Sequence, residues 1–244
     1  MAKGSSAAYQ KGVTASQQYQ DKRTKAAARE DPIAYSCPAS GLAEYRYRPL
    51  RSDSHIRVLV LEPGCGGELL RCSLEESDLD SQLQFDALSY CWGDASDTRT
   101  ITCEGCSVSI TKSLYDALLR FRKPDLRLRI WADALCINQE DMAERRQQVQ
   151  LMRRIYQESE KCLVWLGPHT ELDGLAFKLL NIIHDFLENH PSDQDRKALI
   201  PGKILGKYST TPGEWDALSH LFARPWFERV WTLQEIVLPR QALI

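Results

Sequence analysis

No apolar run in this 244-residue chain approaches the roughly 18 residues that cross a bilayer, so a membrane-spanning helix is excluded. The start, MAKGSSAAYQKGV, lacks the apolar stretch of a secretory signal. Surplus charge is missing as well: 31 Lys+Arg stand against 33 Asp+Glu, a formal net charge of -2. Such a chain has no general pull toward phosphate backbones or anionic lipid, and the folded part carries no local basic patch. Neither a nucleic-acid nor a membrane partner is expected. There is no Asn-x-Ser/Thr sequon, and the eight cysteines are only about 3% of the chain, far from a disulfide scaffold. Reduced thiols in a cytoplasmic protein are the expectation. The motif catalogue is equally bare, with no GxGxxG, GxxxxGK[ST], GxSxG or HExxH.

What is present is ordinary globular material, 43% hydrophobic and 26% charged. Residues 1–34 are rich in Ala, Ser, Gln and Lys without an apolar face, which predicts a mobile tail ahead of one domain over 35–244. Short β-like runs follow at 45–50, 56–61 and 69–74, an antiparallel lead-in. Three further strands are predicted over 85–90, 128–133 and 161–166. They alternate with helical patterns: Leu114, Ala117, Leu118 and Phe121, then a helix from Glu144 to Glu160 with Val149, Met152, Ile155 and Tyr156 on its apolar side. Alternation of this kind predicts a parallel central sheet with Leu88, Ile130 and Val164 on neighbouring strands. An amphipathic helix over 172–187, a polar loop over 190–212, a helix around Trp215, Leu218 and Phe222, and a last helix from Glu228 to Leu238 complete the pattern. Ala242-Leu243-Ile244 reads as the start of a strand, which suggests a piece of a longer chain.

The pair Cys103-Glu104-Gly105-Cys106 has metal-ligand spacing, but no second CxxC or His pair follows, so it reads as a hairpin turn and no metal is expected. Cys91 and Cys136 sit in strand-end loops where a Cys–His hydrolase would put a nucleophile, yet none of the five histidines forms a recognisable pair with them. In a parallel sheet ligands gather outside the carboxyl ends of the strands. Two polar groups fall there, Ser89 to Asp94 with Trp92 between them, and the loop from Asp133. Asp133 has a commoner alternative, capping amides of its own loop. On the last helix Trp231 and Glu235 are one turn apart, an indole beside a carboxylate that would suit cleavage of a bond to a cationic base. The plain alternative is a core tryptophan and a salt-bridged glutamate.

The blocks FDALSYCWGD at 85–94, IWADALCINQ at 130–139 with Glu144-Arg145, Met152 to Tyr156 running into VWLG at 164–167, and RPWFERVWTLQE at 224–235 resemble the fungal heterokaryon incompatibility (HET) domain. The resemblance implies a role in nonself recognition, with a recognition partner protein and programmed cell death as the outcome. More distantly, the order of elements and the Trp-x-x-x-Glu ending are similar to TIR domains, some of which cleave NAD+. That similarity implies a TIR-like, flavodoxin-like three-layer α/β fold, with no cofactor and NAD+ or a related nucleotide as substrate. Glu235 would be the catalytic carboxylate, Trp231 a stacking platform, and Ser89, Trp92, Asp94 and Asp133 a rim for ribose or phosphate. The cysteine of the TIR block is Thr232 here. The competing implication is a non-catalytic scaffold that self-associates and recruits a separate executioner. A pocket open at Glu235 favours the enzyme, and a Glu235 sealed or locked to Arg229 favours the scaffold.

Overall fold

The computed structural model describes residues 41–189 and 210–244. The tail expected over 1–34 and most of the loop expected over 190–212 lie outside the described residues. Among those described, eight strands form one sheet: β1 (His55–Leu61), β2 (Arg71–Asp78), β3 (Asp86–Tyr90), β4 (Thr98–Cys103), β5 (Cys106–Thr111), β6 (Leu128–Trp131), β7 (Cys162–Trp165) and β8 (Ala242–Leu243). Their spatial order is β5-β4-β2-β1-β6-β3-β7-β8. The helices are α1 (Lys112–Phe121), α2 (Asp133–Cys136), α3 (Met142–Glu158), α4 (Asp173–Asn189), α5 (Pro212–Phe222) and α6 (Thr232–Val237).

The parallel part is β6-β3-β7-β8, with Asp86 opposite Ile130, Leu88 opposite Leu163 and Leu163 opposite Leu243. In chain order these strands stand second, first, third and fourth, the flavodoxin-like arrangement. The chain leaves β3 toward β6 on one side and then returns past it to β7. Right-handed crossovers to opposite sides place their helices on opposite faces, which gives the three-layer α/β fold expected. Every residue of β3 is buried, as a strand covered on both faces requires. The short pairing of Ala242-Leu243 with β7 accounts for the strand-like ending.

The antiparallel addition is built into the same sheet. β1 pairs with β2 over seven residues and, on its other side, runs antiparallel to β6 with Leu59 opposite Ile130. The hairpin at Cys103–Cys106 forms as predicted, and Glu104 (φ 50°) and Gly105 (φ 78°) both occupy the left-handed region that a two-residue primed turn requires. Thr111 caps α1 through the amide of Leu114.

Three expectations need correcting. The run at 45–50 forms no strand; only Glu44 bridges to Ser107, and beyond it Tyr47 and Arg48 are held by side-chain contacts rather than a ladder. On α3 the inward position goes to Gln148, whose amide donates to the carbonyl of His55, while Val149 stays exposed. The last helix is broken: a 3₁₀ turn begins at Pro225, Arg229 is extended (φ −79°, ψ 129°), and α6 starts only at Thr232.

The main core gathers Leu59, Leu88, Ile130, Trp131, Ile155 and Val164. A second cluster, Ala176, Leu179, Ala217, Leu218 and Leu221, forms where α4 meets α5. Trp131 and Trp226 are buried and Trp165 is half-buried against the core.

Candidate functional site

Ser89 is the next-to-last residue of β3, 1% exposed. Its neighbours come from the far end of the chain. Pro225 sets up the 3₁₀ turn that buries Trp226, whose indole N–H donates to Ser89 Oγ at 2.8 Å. The Ser89 hydroxyl in turn donates to Glu235 Oε2. Because Arg229 is extended, its guanidinium folds back onto Glu235, donating to Oε2 at 3.0 Å and to Oε1 at 2.9 Å. Thr232 closes the turn by donating to the carbonyl of Trp226 at 3.0 Å. Glu235 is 1% exposed, so this is a forked, nearly dry ion pair with all its oxygens occupied. Burial works against the Arg229 charge, but the attraction of Glu235 exceeds it and holds the guanidinium above its ordinary value.

Asp133 lies beside this pair, at the start of α2 after β6. It accepts from the indole N–H of Trp92 at 2.9 Å and from the amide of Ala134 at 2.8 Å. Burial raises its carboxyl above the usual range, more than these donors and Arg229 lower it. Tyr90, also 1% exposed, has a hydroxyl without a hydrogen-bond partner. Burial and then the Asp133 charge push that phenol well up.

Of the six residues singled out in the sequence, Ser89 and Glu235 touch, and Trp92 and Asp133 touch beside them. Trp231 and Asp94 do not join them. Trp231 is 47% exposed at the head of α6, while Glu235 is buried. Asp94 is exposed and holds its own turn, accepting from the amide and hydroxyl of Ser96, whose amide draws the carboxyl below its usual range. Burial pushes the Cys136 thiol up to about 12, which disfavours the thiolate.

A second ion pair escaped the sequence reading. Arg57, inside β1, forks onto both oxygens of Glu144 and also donates to the carbonyls of Arg48 and Cys136. Its guanidinium lies over the Tyr47 ring, and Glu144 accepts the amide of Asn138. The signal for it was a lone arginine in the apolar run Ile-Arg-Val-Leu-Val-Leu. Glu144 therefore holds the loop after Asp133 in place.

The geometry assigns structural jobs to the blocks that carried the resemblance, and the comparison with known proteins decides what they are. The heterokaryon incompatibility protein (HET) family model matches residues 85–235. The chain belongs to the HET family. Those residues run from the first buried position before β3 to Glu235 itself, so the HET domain closes on the Arg229–Glu235–Ser89 contact. The chain is also 32% identical over 220 residues to heterokaryon incompatibility protein 6, OR allele, of Neurospora crassa, covering 76% of this chain and 32% of the relative. It thus spans about a third of the length of that curated relative. No solved structure matches the chain.

Proposed function

We propose that this HET domain serves heterokaryon incompatibility as a self-associating signalling module that recruits a separate executioner. The observation that carries this reading is the polarity of α6, which faces the wrong way for an isolated helix. Its polar residues Thr232 and Glu235 are buried, while Leu233 is 69% and Val237 72% exposed, next to exposed Val230 and Trp231. A carboxylate sealed against Arg229 and Ser89 has no face left for a substrate, whereas the apolar outer face is the kind of patch that marks an association surface. A second copy presenting the same patch gives a self-complementary contact. Sedimentation of the chain over a range of concentrations tests this. Wild type forms dimers or larger species, and Val237→Lys, exposed and so harmless to the fold, shifts it to monomer. A wild type that stays monomeric at every concentration refutes the reading.

The second reading is hydrolysis of NAD+ or a related nucleotide at the N-glycosidic bond. It is favoured by the meeting of Ser89, Trp92, Asp133 and Glu235 at the carboxyl ends of β3 and β6, and by the unpartnered Tyr90 hydroxyl among them. It requires Arg229 to release Glu235, with Trp231 stacking on the base and Asp94 at the rim. Loss of NAD+ with concentrated protein, wild type beside folded Glu235→Gln, separates the two. Turnover that vanishes in the variant establishes the enzyme, and no turnover leaves the scaffold.

A further inference from the structure

Three cysteines stand in one row across three neighbouring strands. Cys72 of β2 is the register partner of Cys103 of β4, and Cys103 is the register partner of Cys106 of β5. Directly opposed residues put their side chains on the same face of a sheet, and in the antiparallel β4–β5 pair their Cα atoms are about 4.5–5.5 Å apart, whereas β2 and β4 run parallel. That separation falls within the roughly 4.4–6.8 Å that a disulfide spans. All three are free thiols, and the Cys72 thiol donates to the carbonyl of Thr102 at 3.6 Å.

Access differs along the row. Cys72 and Cys103 are 6% and 0% exposed, but Cys106 is half-buried and lines an open cavity of about 550 Å³ together with Tyr45, Arg46, Arg48 and Glu104. The other buried cysteines, Cys136 and Cys162, have no cysteine opposite them in any register.

We infer that Cys103 and Cys106 form a peroxide-sensitive dithiol. The Cys106 thiolate attacks one oxygen of a hydroperoxide, so an S–O bond forms, the O–O bond breaks, and an alcohol or water leaves after taking up a proton. The resulting sulfenic acid is attacked by Cys103: the S–S bond forms, the S–O bond breaks, and water leaves with the Cys103 proton. Two thiols lose two electrons, and the hydroperoxide gains them. The bond would fasten the β4–β5 hairpin, which also holds the segment before β1 through Ser107 to Ala43 and Tyr45.

The test treats the full chain with hydrogen peroxide, blocks remaining thiols with an alkylating reagent, and maps each cysteine by mass spectrometry. Cys103 and Cys106 are expected to lose two hydrogens together and to resist alkylation until a dithiol reductant is added. Cys106→Ser, a near-isosteric change at a half-buried site, slows loss of the Cys103 thiol by at least about tenfold. Cys103→Ser leaves Cys106 as a sulfenic acid that dimedone traps. If the exposed Cys65 oxidises while Cys72, Cys103 and Cys106 all remain alkylatable, or if the only bond formed joins two copies, the inference falls.

Discussion

Take away the guanidinium of Arg229, and the Glu235 carboxylate keeps only the Ser89 hydroxyl inside an otherwise dry site. A buried charge stripped of its partner costs about 3–5 kcal/mol, while replacing both members by apolar residues of similar volume is often neutral. Arg229→Ala should therefore lose about 3–5 kcal/mol in urea unfolding, and Arg229→Met with Glu235→Leu should recover most of it. A single variant within about 0.5 kcal/mol of wild type would show that the pair is a surface feature after all. Trp131 gives a second case with the opposite moral. It is fully buried, yet its indole N–H has no hydrogen-bond partner. Trp131→Ala opens a cavity and should cost about 3–5 kcal/mol. Trp131→Phe keeps a ring against Tyr156 and discards the unpaired donor, so it should cost under about 1.5 kcal/mol, the range of shape-conserving swaps. Paired urea melts of the two variants decide it.

At the scale of elements, α4 is tied down at its first turn. Asp173 accepts from the amide and hydroxyl of Thr170 and from Arg224 at 2.6 Å. Burial alone would raise this carboxyl, but the three donors outweigh it and hold it below the ordinary range. A depressed carboxylate contributes stability that is present above its unfolded value of about 3.9 and is lost as pH falls through the folded one. On acidification the amides of α4 and α5 should thus lose hydrogen-exchange protection before those of β3 and β7. Asp173→Asn, which cannot titrate, should weaken α4 at neutral pH and remove that acid step. If the two regions lose protection together at every pH, the tie is not local.

The elements that could be read from the sequence are those whose burial pattern is one-sided or total. β3, β6 and β7 announced themselves as apolar runs, and the hairpin by Glu104-Gly105. The insertion of β1 between β2 and β6 left no trace, because a run apolar on both faces fits any interior position of a sheet. The break in the last helix was hidden by a residue pattern compatible with continuous helix. For the site, the spacing of Trp231 and Glu235 suggested a shared face, but Trp231 stands exposed at the head of the helix while Glu235 is buried. Arg229 and Glu235 are six residues apart, a spacing that brings nothing together on a regular helix. Their contact exists only because the chain is extended at Arg229.

The described residues form two apolar clusters, and the half-buried Leu166 and Phe227 pack against both. Phe227 meets Trp226 and Phe222 edge-on at 4.9 Å, one ring from each side of the joint. Phe227→Ala should cost about 2–3 kcal/mol, below the value for a fully buried ring, and should make α4 and α5 unfold at lower urea than the sheet. In a Trp215→Phe background, which silences the tryptophan of the small cluster, fluorescence from the main core and circular dichroism, dominated by helices, would then give separate midpoints. Coincident midpoints would mean that the small cluster has no independent stability.

The joining of β8 to the sheet gives the fold a mechanical weak point. Only Ala242 and Leu243 pair with β7, and α6 precedes them in the chain by a few residues. Tension applied at the C-terminal end would peel that short ladder first and then load α6, whose grip on the body includes the carboxylate held by Arg229 and Ser89. A pull on the edge of the domain would in this way reach the middle of its central strand, and the contact that seals Glu235 would be among the first to yield.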